Sequence, residues 1–579
     1  MIRKNLLIRI CAIAAALSVS ASLAPLTAEA SFTPPFTTLR IGLFFGPSAL
    51  PSANLQNVEG FGRGFDFGYF DSGRAFVPIG AWTDESRITM MMDRNMVWNP
   101  GTGTVAGEYR EGTSGAASVG AFHVQLDAGY GTFQEARAIA DEHSGGFVRY
   151  ENGTFLVLIG HYTSRTAAET AMASLGAPGA MVNAGTSNTV TVVRTGSDTI
   201  LFEFEHGSSR SLGVMPRAAG SENPETWFRG FRYNGGFQYS RRDGALITVT
   251  HFVNIEDYVK GILPYEMNNA WPIEALKAQA LCARTYAMSY LNRHNTNGFD
   301  LCVEEHCQVY RGRNAANART DQAVMETAGM YITYDGELTQ TYYASTNGGA
   351  SENSENVWID ALPYLRGVID PYEANIAHRI TNPSYHWTIT YTPAQITQRL
   401  LERGYNVSTI VSMQVSQYTP TGNVLSVTVT DANGRRFTFS RRAQLITALG
   451  VPTQRFNIGG AAWDGGGGVF ANAPAQAIGP NNSVSAIDGG GNISEVPTDS
   501  IYAVTGSGSA EIVTGEPGGS TGGNSTGLVN GVFTIRGSGR GHNVGMSQWG
   551  AYSMAHYHGL TFEDIIHFYF TGVEITGTA

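Results

Sequence analysis

The stretch Trp271-Pro272-Ile273-Glu274-Ala275-Leu276-Lys277-Ala278-Gln279-Ala280-Leu281-Cys282-Ala283-Arg284-Thr285-Tyr286-Ala287 reads as a helix that needs neighbours. Pro272 suits a first helical turn, where its missing N–H costs nothing. Ile273, Leu276, Ala280, Ala283 and Ala287 follow at separations of 3, 4, 3 and 4, a single apolar face built mostly of alanine. Small side chains let other backbone pack close, so a globular core is expected around this segment. Lys277, Gln279 and Arg284 lie off that face and are expected away from the core.

The chain has 579 residues, more than one ordinary domain holds, and 42% of them are hydrophobic, enough for sizeable cores. With 37 basic and 48 acidic residues the net charge is −11, which argues against a general nucleic-acid binder. Residues 1–30 read as a secretory signal peptide. Arg3 and Lys4 precede a mostly apolar run from Leu6 to Leu26, and Ala28-Glu29-Ala30 is a small-x-small cleavage site. An uncleaved anchor is the alternative. The expected localisation is secreted or in the cell envelope.

Residues 31–117 form a strand-rich N-terminal region, with Leu39 to Phe45 a good strand and no visible chemistry. Residues 118–178 change character. Phe122 to Leu126 alternates like a half-buried strand, Glu135 to Glu142 follows as a helix, and Thr154 to Gly160 is a second strand. Ser164 is placed to cap a helix carrying Ala167, Ala168, Ala171 and Leu175. The predicted order is β-α-β-α. On Val124-Gln125-Leu126, Phe155-Leu156-Val157-Leu158-Ile159-Gly160, Tyr162-Thr163-Ser164 and Ala167-Ala168, this segment resembles the sporulation-related repeat, SPOR, a small wall-binding domain; an unrelated α+β unit is the alternative. Strands recur across 188–260 and again across 387–450. Residues 459–527 hold 18 glycines in 69 positions and neither Lys nor Arg, the composition of a linker or surface insertion, with Ile501 to Val504 a strand candidate inside it.

Glu266 lies just before the 271–287 helix, between Tyr265 and Met267 and after Leu263-Pro264. Desolvation in apolar surroundings raises a carboxyl pKa, and a carboxyl protonated at neutral pH can protonate a glycosidic oxygen. By itself this is also an ordinary loop pattern. The longer run, Glu266-Met267 followed by Trp271-Pro272-x-Glu274-Ala275-Leu276-Lys277-Ala278-Gln279-Ala280 and Ala283-Arg284-Thr285-Tyr286-Ala287, resembles the stage II sporulation protein D / LytB family of secreted peptidoglycan-active proteins. Two more blocks carry the likeness. One is Tyr342-Tyr343-Ala344-Ser345-Thr346-Asn347-Gly348-Gly349, with Val357-Trp358 and Pro363 to Val368 after it. The other is Gly539-Arg540-Gly541-His542-Asn543-Val544-Gly545-Met546-Ser547-Gln548-Trp549-Gly550-Ala551. Asn543 stands where the family commonly has Gly, which puts that turn in question.

The resemblance spans about 190–455 and 530–575. It implies that Glu266 is the acid of a lytic transglycosylase. Such an enzyme manages with one carboxyl, because the same group then acts as base while the muramyl 6-hydroxyl attacks its own anomeric carbon and leaves a 1,6-anhydromuramyl end. Hydrolytic glycosidases use two carboxylates. Lys277, Gln279, Arg284, Ser345, Asn347 and His542 are candidate substrate contacts. Glu274, on the first helical turn, is expected to be structural. The implied partners are peptidoglycan glycan strands and, in the branch of amidase enhancers, other cell-wall hydrolases.

His294, Cys302, His306 and Cys307 fall within fourteen residues, and thiolate and imidazole are zinc ligands. The family has a similar cluster beside Cys307-Gln308-Val309-Tyr310, for which zinc has been suggested. A Cys302–Cys307 disulfide and free thiols are the alternatives. Four protein ligands leave no open position, so any zinc is expected to be structural and no catalytic cofactor is implied.

The expected fold is α+β and multidomain: a helical catalytic core among antiparallel strands, plus the small 118–178 module. The expected division is 1–30 signal peptide, 31–117 strand-rich region, 118–178 module, 188–455 catalytic region, 459–527 insertion, and 530–579 the last catalytic piece. The expected activity is lytic cleavage of glycan strands, with a non-catalytic autolysin stimulator as the rival.

Overall fold

The computed structural model describes residues 32–102, 107–241, 246–376, 385–459 and 527–577, together with four short strands between 483 and 512. The signal-peptide reading and most of the glycine-rich segment lie outside these residues. Tyr502–Val504 is a strand, as expected. Among the described residues no helix is long and apolar enough to cross a membrane.

Two large sheets form the body. One has seven strands in the order Leu301–Cys302, Thr38–Phe44, Ile247–Asn254, Gly236–Arg241, Leu212–Ala218, Gly62–Phe70 and Phe76–Thr83. The other has ten: Met181–Ala184, Phe122–Tyr130, Thr154–Tyr162, Gly146–Glu151, Ile200–Glu205, Val190–Arg194, Arg87–Met92, Ser52–Asn57, Glu225–Phe228 and Phe231–Asn234. Phe67 of the first sheet stacks on Phe202 of the second, ring centroids 4.9 Å apart.

Two expected boundaries fall here. Thr38–Phe44 pairs antiparallel with Ile247–Asn254, so the N-terminal region shares a sheet and a core with the candidate catalytic region. The 118–178 segment is also not a β-α-β-α module. Residues 122–184 run β-α-β-β-α-β, with helices Phe133–Ala140 and Arg165–Leu175 and two unforeseen strands, Gly146–Glu151 and, just past the expected boundary, Met181–Ala184. Gly146–Glu151 pairs in parallel with Ile200–Glu205, which merges the unit into the ten-stranded sheet. Ser164 caps its helix as expected, accepting from the Ala167 N–H.

The helical layer follows the first sheet without a break. Asn254 ends its strand and caps the helix Ile255–Glu266 by accepting from the Glu256 N–H. Glu266 is therefore the last residue of a helix rather than part of a loop. Gly261 lets this helix lie against the chain at 310–312, where a Cβ would sit 2.4 Å from the Tyr310 ring. The expected helix spans Ile273–Ser289, but it is buried all round, not on one face: from Ala275 to Met288 every residue except Lys277 is buried. Ile255–Glu266, Ala318–Glu326, Gln548–His558 and Phe562–Tyr569 all pack on it, which alanine makes sterically possible.

A second hydrophobic core forms around Ile396, Met413, Val427, Leu445 and Phe533. It packs helices Pro393–Glu402 and Arg441–Leu449 on strands Ile410–Tyr418, Val424–Asp431 and Arg436–Ser440. Val532–Ser538 pairs with both His386–Tyr391 and Phe456–Ile458. The 188–455 region thus contributes to two cores. The glycine-rich segment runs between Phe456–Ile458 and Leu528–Val529, which both pair antiparallel with Val532–Ser538, the position of an insertion within a domain.

Candidate active site

Glu266 opens into a cleft of about 970 Å³ walled by Tyr286, Tyr290, Tyr342, Tyr343, Trp358 and His542. Its carboxylate accepts from the Gln548 side-chain amide at 3.2 Å, and the Tyr343 hydroxyl is its other neutral polar neighbour. Burial pushes the carboxyl above the ordinary carboxylate range, Gln548 and Tyr343 pull it partly back, and the Glu305 charge adds to the rise. Both donors are neutral. Tyr343 is itself held by Gln308 Nε2, at 3.1 Å, and burial raises its phenol far enough to keep its proton. Glu305 and Asp360, the other cleft carboxylates among the described residues, stand exposed at the rim.

The candidate substrate contacts separate into two groups. Ser345 and His542 line the cleft. His542 Nδ1 accepts from the Val544 N–H at 3.1 Å, so Nε2 carries the proton and donates to the Tyr343 carbonyl at 3.0 Å. Burial lowers its pKa to about 4, leaving a neutral imidazole packed against Trp358. Asn543 holds the adjoining turn at φ +62°, a left-handed conformation that Asn tolerates, so the departure from Gly keeps the turn.

Lys277, Gln279, Arg284 and Asn347 do not line the cleft. Lys277 pairs with Glu274 and Glu326 on the outer side of its helix. Arg284, expected away from the core, is fully buried; its guanidinium forks onto Glu256 at 2.6 and 3.0 Å and donates to the Val324 carbonyl. It ties three helices together. Gln279 is buried behind Gln548, 3.4 Å from its amide. Asn347 is buried and donates to Asp370. Glu274 is structural as expected, accepting from the Phe562 N–H and capping the helix Phe562–Tyr569.

Sequence reasoning did not single out Gln548 or Tyr343. Each sits in a block that carried the family likeness, but only tertiary pairing aims it at Glu266. Tyr343–Ala344 and Met546–Ser547 form a two-stranded parallel ribbon, and both donors spring from it.

His294, Cys302, His306 and Cys307 do converge: their four ligand atoms all lie within 4.8 Å of one another. Cys307 Sγ is 3.4 Å from His294 Nε2 and 3.7 Å from His306 Nδ1, and Cys302 Sγ is 3.8 Å from His306 Nδ1. A tetrahedral zinc separates its sulfur and nitrogen ligands by about 3.6 Å, so the donor set fits that ion. The bend between Glu304 and Cys307, closed by the Cys307 N–H on the Glu304 carbonyl, lets adjacent residues face one point. No disulfide joins the described cysteines. His306 turns its Nε2 to Arg293, 3.2 Å away, on the cleft wall.

Residues 243–334 match the family model described as SpoIID, stage II sporulation protein. The chain is 28% identical over 349 residues to an uncharacterised protein of Brachyspira hyodysenteriae, covering 60% of this chain and 73% of that one. It is 29% identical over 323 residues to the amidase enhancer of Bacillus subtilis, covering 55% of this chain and 40% of the relative. Over 163 residues it is 29% identical to the stage II sporulation protein D of the same organism, covering 26% of this chain and 46% of the relative. With the latter two, the match spans less than half of the relative's length. The 243–334 match, by which the chain is similar to the stage II sporulation protein D family, covers the segment that holds Glu266 and the whole cysteine–histidine cluster.

Proposed function

We propose that this cell-wall protein is a peptidoglycan lytic transglycosylase with Glu266 as its acid and base. One observation carries the reading: a half-buried carboxyl in a large cleft, raised by burial and met only by neutral donors. Protonated, it donates to the glycosidic oxygen between muramyl and glucosaminyl units as that bond breaks. As carboxylate, steadied by the Gln548 amide and the Tyr343 hydroxyl, it takes the proton of the muramyl 6-hydroxyl while that oxygen closes on the anomeric carbon. The acid is restored, no water is consumed, and one product carries a 1,6-anhydromuramyl end. The aromatic walls, Trp358 above all, suit the C–H faces of sugars.

Zinc on His294, Cys302, His306 and Cys307 would be structural, closing the loop that forms one cleft wall. Metal analysis should find one zinc per chain, and its removal should lower the melting temperature; a metal-free protein of unchanged stability rejects it. The β-α-β-β-α-β unit is proposed to bind wall glycan, and the chain to act outside the cytoplasm.

The test is mass spectrometry of products from peptide-free glycan strands, with Glu266→Gln beside the parent. Anhydromuramyl ends from the parent alone support the reading, and reducing ends replace it with hydrolysis. The relative named an amidase enhancer favours a second reading, in which the protein stimulates a separate hydrolase. That reading predicts no cleavage by the parent and stimulation that survives Glu266→Gln.

A further inference from the structure

Behind the ribbon that carries Tyr343 and Gln548 lies a pair of fully buried carboxylates, Asp370 and Glu373. Glu373 accepts from the Asn347 N–H at 3.0 Å, from the Gly348 N–H at 2.7 Å, and from the Ser547 hydroxyl. Asp370 accepts from Asn347 Nδ2 at 2.8 Å, the Tyr569 hydroxyl at 2.6 Å and the Glu373 N–H at 2.9 Å. The first two donors to Glu373 follow the Tyr343–Ala344 strand, and the third ends its partner strand Met546–Ser547. One carboxylate therefore stitches both strands from the side away from the cleft.

Ser547 is the joint. Its hydroxyl donates to Glu373 and at the same time caps the helix Gln548–His558, accepting from the Gly550 N–H at 3.1 Å. Donating in one direction orients the lone pair that caps in the other. The next residue is Gln548, whose amide meets Glu266. Two carboxylates this close, with no cation bonded to either among the contacts above, are a costly way to fasten a loop. Burial and the neighbouring Asp370 charge raise Glu373 to about 8.

We propose that Glu373 is a positioning residue for the acid: acting through the Ser547 hydroxyl, it sets where the Gln548 amide meets Glu266. The proposal rests on Glu266 being the acid. It assigns Glu373 no contact with substrate.

The test compares Glu373→Gln, Ser547→Ala and Gln548→Ala with the parent, reading kcat and KM on glycan strands across pH. Without the Gln548 donation the Glu266 carboxyl rises further, so the alkaline limb of kcat/KM should move up by about one pH unit. The kcat should fall about tenfold, while KM changes less than about twofold. All three variants should move the limb alike, and the double variant Ser547→Ala/Gln548→Ala should match Gln548→Ala alone. A lower melting temperature with an unmoved limb, or additive effects in the double variant, overturns the proposal. If Glu373→Gln does not fold, Ser547→Ala carries the comparison. Carbon-13 NMR titration of the Glu266 carboxyl, assigned by its loss in Glu266→Gln, gives the same comparison without activity. A parent that cleaves nothing would therefore sink the transglycosylase reading and still leave the Glu373–Ser547–Gln548 linkage decided by the titration.

Discussion

Glu203 and Glu266 are both shielded glutamates, and their surroundings drive them in opposite directions. Glu203, fully buried on Ile200–Glu205, is bound by Arg149 at 2.7 and 2.9 Å and lies 3.4 Å from His123 Nε2. Burial alone would raise it, but these two cations bring it to about 2. Burial would likewise lower His123, yet Glu203 and Asp93 lift it to about 10. Burial and the Glu203 charge raise Asp93, while His123 and Arg149 pull it back. Glu266 has the same side chain and meets an amide and a phenol. Burial raises its carboxyl above the ordinary range, because no cation claims the carboxylate. The first arrangement locks structure; the second leaves a group able to give and take a proton.

The charge network also joins elements. His123 and Arg149 belong to the β-α-β-β-α-β unit, Glu203 to the adjoining strand, and Asp93 follows Arg87–Met92. The unit is thus fastened to the body of the fold and is not a module on a tether.

The most drastic way to break the contrast is to give Glu266 a cation. Gln548→Lys should pull its carboxyl below the ordinary range and lower cleavage at neutral pH by about 10²-fold or more, approaching Glu266→Gln in product assays. Conversely, Glu203→Gln removes the anion between two buried cations. It should cost about 3–5 kcal/mol in denaturant unfolding, with cleavage per folded molecule retained.

The pH dependence of stability sharpens the same contrast. His123 is raised, so its contribution is full below 6.5 and is lost as pH rises through about 10. Glu203 is depressed, so its contribution is present above 4.5 and is lost as pH falls through about 2. The network is therefore strongest between about 4.5 and 6.5. Unfolding midpoints should fall on either side of that window, and less so on the alkaline side in His123→Gln. The smallest effect is expected from Lys277→Ala: about 1 kcal/mol or less, with unchanged cleavage, because its ion pairs lie on the outer side of the helix.

How far each feature was legible follows from where its partners lie in the chain. The Ile273–Ser289 helix and the Ser164 cap are written within a few residues, and His294, Cys302, His306 and Cys307 are close enough in sequence for a bend to gather them. The Gly146–Glu151 strand had a local signal that went unread: Asn152-Gly153, at φ +49° and +99°, is a hairpin turn. Arg149 in mid-strand concealed it, because a charge there makes sense only opposite Glu203. The helix Ile255–Glu266 was missed because Pro264 suggests a break and an apolar strand runs straight into it.

The sequence by itself carried the family likeness, the acid candidate and the cysteine–histidine cluster, all of which rest on residue identities within short windows. Tertiary structure decided what those residues meet. Arg284 became a buried clamp because Glu256, 28 residues away, comes to it, and Asn347 became part of the support for the ribbon because Asp370 does. Gln548 reaches Glu266 across 282 residues. Whether a charge is paired, and so whether a carboxyl holds its proton, depends on groups brought together by the fold, and no local pattern encodes them.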